Sequence, residues 1–373
     1  MRDSTFINRK DDIEHLWLNM QSGINTILIS PRGWGKSSLV TQTAFVKRRN
    51  KQVKWCFFDM FAARSEADFY AQFSRVLLKS ISPKWEDWVA DAKTFFKRIA
   101  PKITVGVDPA QEFSLSFDLK EVEAHKDEIL DLPEKIAQKQ QIRLIICIDE
   151  FQNIHNFPEA ESFEESLRSC WQQHQNVSYC LYGSKRTLMA EIFNKQNRAF
   201  YRFGDVMMLD KIATEHWIPF IVGKFEQTGK SITPALAEKM ALLMKNHPYY
   251  IQQLAHYVWG NTQKTATLAI LKKTIVRLLE INYAMYQREV EGLSNTQINL
   301  LKAIADGVTR LTALKTLQEY QIGTPRNVSK NMKILERDDF IEKANKKVTF
   351  IDPAFELWFC KYYMHKSLDS YFT

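Results

Sequence analysis

Short apolar runs alternate with amphipathic stretches through the first part of the chain. Ile27-Leu28-Ile29, Val53 to Phe58, Leu144 to Ile148, Val177 to Tyr182 and Val206 to Leu209 are the apolar runs. The Leu144 to Ile148 run is that of a strand buried on both faces of a sheet; the Val53 and Val177 runs read as further core strands, and Val206 to Leu209 as a short strand. Between them lie helical spacings. Ile13, Leu16, Trp17 and Met20 share one side of an early helix, and Phe69, Phe73, Val76 and Leu77 form the apolar face of another over Ser65 to Ile81. A polar helix is predicted over residues 121 to 140, and a further one from Phe163 to His174. Residues 102–117 instead alternate with period two around Asp108-Pro109, which predicts an inserted β-hairpin.

From Thr214 to about Tyr286 the pattern is helical, punctuated by Gly229, Pro234 and Pro248. The last module starts near Gly292. It reads as a helix carrying Ile298, Leu301 and Ile304, a second around Leu311 to Tyr320, and a third after Gly323-Thr324-Pro325. Two strand-like pieces follow, Phe340 to Lys343 and Lys347 to Ile351, giving a winged helix-turn-helix. With Arg326 set at 0° on the third helix, Lys330, Lys333 and Arg337 fall at about 40°, −20° and 20°, while Val328, Met332 and Leu335 fall at about 200°, 240° and 180°. A basic stripe therefore faces away from an apolar one. It is a candidate DNA contact, and equally the solvated face of an ordinary amphipathic helix.

Composition narrows the class. At 373 residues the chain is long enough for two or three domains, and its 45% hydrophobic and 25% charged content is that of a globular protein. No apolar stretch approaches the ~18 residues needed to span a bilayer, and no signal peptide is expected behind Met1-Arg2-Asp3. The five cysteines are scattered and lack metal-ligand spacing, as expected in a reducing cytoplasm. The net charge of +8 permits an acidic partner; residues 286 to 373 carry 13 Lys+Arg against 11 Asp+Glu, so the last module is not strongly basic.

The chemistry is concentrated after the apolar strands. Ile27-Leu28-Ile29 runs into Ser30-Pro31-Arg32-Gly33-Trp34-Gly35-Lys36-Ser37-Ser38 and then a helix. That order forms a phosphate-binding loop: Gly33 and Gly35 allow close backbone approach, and the helix N-terminus adds its positive end. Lys36 is placed for the outer phosphates and the Ser37 hydroxyl for Mg2+. Asp149-Glu150 ends the Leu144–Ile148 strand, at the sheet edge where open α/β folds bind ligands. Asp149 suits the metal shell and Glu150 the activation of a water; the bland alternative is a helix cap. Ser184, at the tip of the Val177 strand, is a candidate γ-phosphate sensor or a helix cap. Phe6-Ile7, with Arg9 nearby, could pack on an adenine ring or act as a hydrophobic staple. Arg198 and Arg202 lie four apart, on one face if helical, and either could reach a neighbouring subunit's phosphates.

Phe6-x-x-Arg9, Ser30 to Ser37, Ile148-Asp149-Glu150-Phe151-Gln152, Tyr182-Gly183-Ser184, Arg202-Phe203 and His247-Pro248, in that order, resemble one family. It is the archaeal-type ATPases, also found in bacteria, of the AAA+/signal-transduction ATPase lineage. The resemblance covers essentially the whole chain. It implies a P-loop NTPase α/β fold with sheet order 5-1-4-3-2 over residues 1–212, a helical lid over 213–286 and a winged helix over 287–373. It implies ATP or ADP with Mg2+, with Phe6, Ile7 and Arg9 near adenine, Lys36 on the phosphates, and Ser37 with Asp149 around the metal. Glu150 is then the catalytic base, Ser184 a sensor, Arg202 a trans-acting finger and Pro248 a lid residue beside the nucleotide. Two positions depart from the pattern: Ser30 replaces the leading glycine, and Asn246 stands where the lid motif has glycine. The expected function is an ATP-driven molecular switch in the cytoplasm, with a protein partner and nucleotide-dependent self-association. The alternatives are a DNA-binding initiator or loader that uses Arg326, Lys330, Lys333 and Arg337, and a nucleotide-bound interaction module with negligible turnover.

Overall fold

The computed structural model describes residues 6–81, 126–344 and 347–372. The hairpin expected over 102–117 and the first part of the helix expected over 121–140 lie outside the described residues. The chain divides into two compact units, Met1–Leu209 and Asp210–Thr373.

The first unit is built on five parallel strands: Thr26–Ile29 (β1), Val53–Asp59 (β2), Arg143–Asp149 (β3), Val177–Gly183 (β4) and Asp205–Met208 (β5). Their order is β2-β3-β4-β1-β5, the order the family resemblance implies. Strand periodicity divides each run between two cores. Ile27, Ile29, Leu144, Ile146, Ile148, Tyr179 and Leu181 face one hydrophobic cluster. Leu28, Ile145, Cys147, Cys180 and Tyr182 face the other. The first cluster is closed by Glu66–Ile81 (α3), Leu132–Gln140 (α4) and Ala160–Trp171 (α5). It is rich in rings, with Phe69 edge-on to Phe58 and Phe163 at centroid separations of 5.4 and 5.1 Å. The second is closed by Lys10–Gln21 (α1) and Lys36–Lys47 (α2), through Ile13, Leu16, Trp17, Met20, Leu39 and Val40.

Two segments differ from their expected form. The helix before β3 is not polar throughout. A turn at Asp131 precedes α4, which buries Leu132, Pro133, Glu134, Ile136 and Ala137. Glu134 is held by Asn176, whose backbone and side-chain N–H groups both donate to it. After β4, Arg186–Asn194 (α6) ends before Arg198. Arg198 and Arg202 therefore lie in turns, not on one helix face, and Arg202 takes a left-handed backbone with φ +55°.

The second unit is helical as far as its wing. Thr214–Glu226 (α7), Pro234–Leu243 (α8), Pro248–Asn261 (α9), Leu268–Ile281 (α10) and Tyr283–Glu291 (α11) come first. Pro234 and Pro248 each open a helix, where a missing N–H is harmless. Asn295–Ala305 (α12), Leu314–Glu319 (α13) and Pro325–Arg337 (α14) follow. A capping box between Ser294 and Gln297 fixes the start of α12. The antiparallel pair Ile341–Ala344 (β6) and Lys347–Phe350 (β7) is the wing, and Pro353–Trp358 (α15) comes after it. No helix among the described residues is long and apolar enough to cross a membrane.

Candidate functional site

The loop between β1 and α2 needs glycine at two points. Gly33 has φ +77° and Gly35 φ +92°, a region that other residues enter only at a cost in strain. Ser30 lies outside that region and is buried with its hydroxyl on the Pro31 carbonyl, so the missing leading glycine costs the backbone nothing. Trp34 is buried in the cluster that also holds Leu39, and Phe6 packs against the same cluster. An apolar anchor thus holds the loop to the body, while Arg32 is exposed. Gly35 precedes α2 without a side-chain cap, and the first turn carries no acidic residue. Such a turn presents N–H groups and a positive dipole end to an anion.

Parallel pairing of β3 brings Asp149 to the same edge. Ser37 Oγ donates to Asp149 Oδ2 at 2.7 Å, and Lys36 Nζ lies 3.4 Å from Glu150 Oε1. Glu150 has φ +48°, which turns the chain sharply at the strand end. Its Oε2 accepts from Gln152 Nε2 at 2.5 Å, from Ser184 Oγ at 2.8 Å and from the Ser184 backbone N–H at 3.2 Å. Ser184 is therefore bonded to Glu150, and the residue capping α6 is Lys185.

The two carboxylates are pushed in opposite directions. Burial raises Asp149, and the Ser37 hydroxyl, the Lys36 ammonium and the Glu150 N–H offset it only in part, so it stays above the ordinary aspartate range. Burial also pushes Glu150 up, but Gln152, Lys36 and Ser184 together outweigh it and hold it below the ordinary range. The cluster thus pairs a cation-seeking acid with a carboxylate held ionised at neutral pH.

Sequence reasoning gave Gln152 no role of its own. A Cβ on Gly183 would stand 1.9 Å from Gln152 Oε1, so glycine at the end of β4 is what admits the glutamine to Glu150. The signal was its place two residues beyond Glu150. Arg198 and Arg202 are separated by their surroundings. Arg198 forms ion pairs with Glu164 and, at 3.2 Å, with Glu161; its side chain is 12% exposed and that of Glu164 1%. Arg202 is exposed, its guanidinium 5.2 Å from the Tyr201 ring centroid. Arg9 is buried and bonded to Asp12 at 3.1 Å, and Ile7 is buried beside it.

The remaining candidates belong to the second unit. Pro248 is buried at the start of α9. Asn246, in place of the lid-motif glycine, adopts φ +58°, the left-handed conformation that asparagine tolerates better than most residues. Its side chain bonds the Thr214 hydroxyl at 2.9 Å. On α14, Arg326, Lys330, Lys333 and Arg337 are exposed, while Val328 and Leu335 are buried. Arg337 is paired with Asp338 at 2.8 Å.

Comparison with known proteins gives the same architecture. Residues 284–361 match the model of a probable winged helix domain. The Walker-type ATPase of Pyrococcus abyssi aligns over 96% of this chain and 97% of its own, with TM-score 0.67 and 16% identity. The ORC2 protein of Aeropyrum pernix, in its ADPNP-ADP complexes, aligns over 95% and 93%, with TM-score 0.56 and 15% identity. No curated protein matches the chain. The chain has the fold of the archaeal-type P-loop ATPases that end in a winged helix.

Proposed function

We propose that this chain is an ATP-binding and ATP-hydrolysing molecular switch of the AAA+/signal-transduction type, working in the cytoplasm. The observation that carries the reading is the single cluster formed by Lys36, Ser37, Asp149, Glu150 and Ser184 at the strand ends beside an uncapped helix N-terminus. Similarity in fold to a Walker-type ATPase, and to an ORC2 protein solved with ADPNP and ADP, supports the choice of nucleotide.

Gly33 to Ser38 would cradle the phosphates, with Lys36 moving from Glu150 to the outer ones. Ser37 Oγ and Asp149 fit a Mg2+ ion, since both are hard oxygen ligands already within 2.7 Å of each other. The metal would neutralise charge building up on the phosphate oxygens. Glu150, ionised and anchored by Gln152 and Ser184, would accept the proton of the attacking water, and Ser184 would register the terminal phosphate. Phe6, Ile7 and Arg9 would flank the base, and Pro248 would bring the helical lid, residues 213–286, into contact with the nucleotide. Nucleotide state would thereby control the lid and the winged helix, residues 287–373. Arg202 would act on a neighbouring subunit's nucleotide in a homo-oligomer; Arg198 is committed to Glu164. An unidentified protein partner would read the switch.

Lys36→Ala should abolish binding of a fluorescent ATP analogue, and Glu150→Gln should retain binding while losing turnover. Unchanged binding in the first, or unchanged hydrolysis in the second, would refute the proposal. A second reading, DNA contact through the winged helix, is favoured by one observation: the exposed side chains of Arg326, Lys330 and Lys333 on one face of α14.

A further inference from the structure

A cluster apart from the nucleotide chemistry lies where the chain enters β4. His174 is three residues ahead of Val177, which is level with Leu144 near the start of β3, five residues from Asp149. The cluster therefore sits towards the other end of the strands from the phosphate loop. Cys170 comes from the last turn of α5, His174 from the turn after it, and Asp131 from the turn before α4. Cys170 Sγ lies 3.5 Å from His174 Nε2, and Asp131 Oδ1 lies 3.4 Å from the same nitrogen. One ligand atom from each residue lies within 4.8 Å of the others.

These separations have a chemical meaning. Ligands at about 2.3 Å for sulfur, 2.0–2.1 Å for imidazole nitrogen and 2.0 Å for carboxylate oxygen, at tetrahedral angles, stand about 3.6 Å (S to N) and 3.3 Å (N to O) apart. The observed 3.5 and 3.4 Å are close to these two distances, and the third pair, sulfur to carboxylate oxygen, lies within 4.8 Å. The imidazole is also oriented from behind: His174 Nδ1 lies 2.8 Å from the Tyr179 hydroxyl, and the His174 side chain is 1% exposed. In the tautomer that carries its proton on Nδ1 and donates it to Tyr179, Nε2 turns its lone pair to Cys170 and Asp131, the form a bound metal selects. Asp131 and Cys170 line an open cavity of about 700 Å³ whose rim carries four acids (Asp127, Glu128, Asp131, Glu165) against two lysines. The opposing charge is Lys135, 3.2 Å from Asp131 Oδ2, which leaves Oδ1 for the cation.

We propose that Asp131, Cys170 and His174 bind one Zn2+ ion per chain, with water from the adjoining cavity as the fourth ligand. On binding, the Cys170 S–H bond breaks, the zinc–sulfur bond forms and the proton leaves to solvent. The site closes the α4 and α5 side of the sheet and acts independently of the phosphate loop.

The test uses the full-length protein, stripped with a chelator and free of nucleotide, with Zn2+ or Co2+ alone as probe. One equivalent of zinc should remain after gel filtration, and Co2+ should give the near-ultraviolet charge-transfer band of a cobalt–thiolate. Cys170→Ser should lose that band, and His174→Gln should weaken Co2+ binding at least 100-fold. Tyr179→Phe, which keeps the packing, should weaken it by about 10–100-fold. Asp149→Asn, at the phosphate-loop end, should leave the band intact. Absence of the band in the wild-type protein overturns the proposal whatever the variants do. So does a band that survives Cys170→Ser, or one lost with Asp149→Asn.

Discussion

At the sheet edge, charged and hydroxyl side chains hold one another. Lys36 faces Glu150, Ser37 bonds Asp149, and Ser184 and Gln152 share one carboxylate oxygen. On α14 the charges point outward, and among the described residues Arg337 is the one of the four with an acid as ion-pair partner. The first group is half-buried and its carboxylates are displaced from their ordinary protonation range. The second is screened by solvent, where each charge is worth little until a polyanion arrives. Interlocked charges suit chemistry on a bound group; outward charges suit recognition of an extended partner. The same contrast separates the two arginines that follow β4, which gives the sharpest way to test it.

Arg198 belongs to the interlocked class and Arg202 to the outward one. Arg198→Ala should cost about 3–5 kcal/mol in urea unfolding, because it leaves Glu164 buried without its partner. Arg202→Ala should cost under about 0.5 kcal/mol. Turnover should reverse the order: in the assembled state Arg202→Ala should lower kcat by about 10³ if the residue serves a neighbour's nucleotide. A rate unchanged by Arg202→Ala across protein concentration would remove it from the mechanism.

Gly183→Ala tests the interlocking itself. The added methyl would meet Gln152 Oε1 at 1.9 Å and Met189 Sδ at 2.7 Å. Relief of that clash should cost about 1–3 kcal/mol. It should also pull Gln152 off Glu150, whose carboxyl then rises towards its ordinary range. A general base must be ionised, so the acid limb of the turnover–pH profile should move to higher pH in the variant. An unmoved limb would mean that Gln152 does not tune Glu150.

Much of this was legible in the chain, and what was not has physical causes. Five parallel strands, the loop glycines and the acids after Ile148 each depend on local pattern, so sequence is enough to place them. The fit of Gln152 against Gly183 depends on two strand ends meeting, which no spacing encodes. Arg198 and Arg202 are equivalent at a four-residue separation only if that stretch is helical; the turns after Asn194 separate their surroundings. Cys170 and His174 stand four apart in the chain, but Asp131 joins them only in the fold, from the turn before α4, so the site as a whole has no spacing along the chain. Asn246 departs from the lid motif in residue type, yet its left-handed backbone is the feature that a glycine there would supply.

Asp149→Asn should break the balance at the edge in the opposite sense. Burial holds Asp149 above its ordinary range in the folded state. For an acid raised by folding, stability is greatest below the unfolded pKa and is eroded as pH rises through the folded one. At neutral pH the ionised carboxyl therefore opposes folding, while asparagine keeps an acceptor for Ser37. The variant should be more stable than wild type by roughly 0.5–2 kcal/mol without nucleotide, and should gain nothing further from Mg2+ with ATP. A melting temperature that falls in the variant would show that Asp149 is structural.

The smallest effects are expected on α14, and they separate the two readings of its stripe. If Lys330 and Lys333 each neutralise a phosphate, the double change Lys330→Glu, Lys333→Glu should lower the slope of log K against log salt for duplex DNA by about 2. Arg337 is already paired with Asp338, so Arg337→Ala should shift the slope less than either lysine does. Thermal stability should barely change in any of these, because the side chains are exposed. A slope unmoved by the double variant would assign the stripe to solvent. The outward charges of α14 would then hydrate the winged helix without specifying a partner, and a polyanion would no longer be the reason for their alignment.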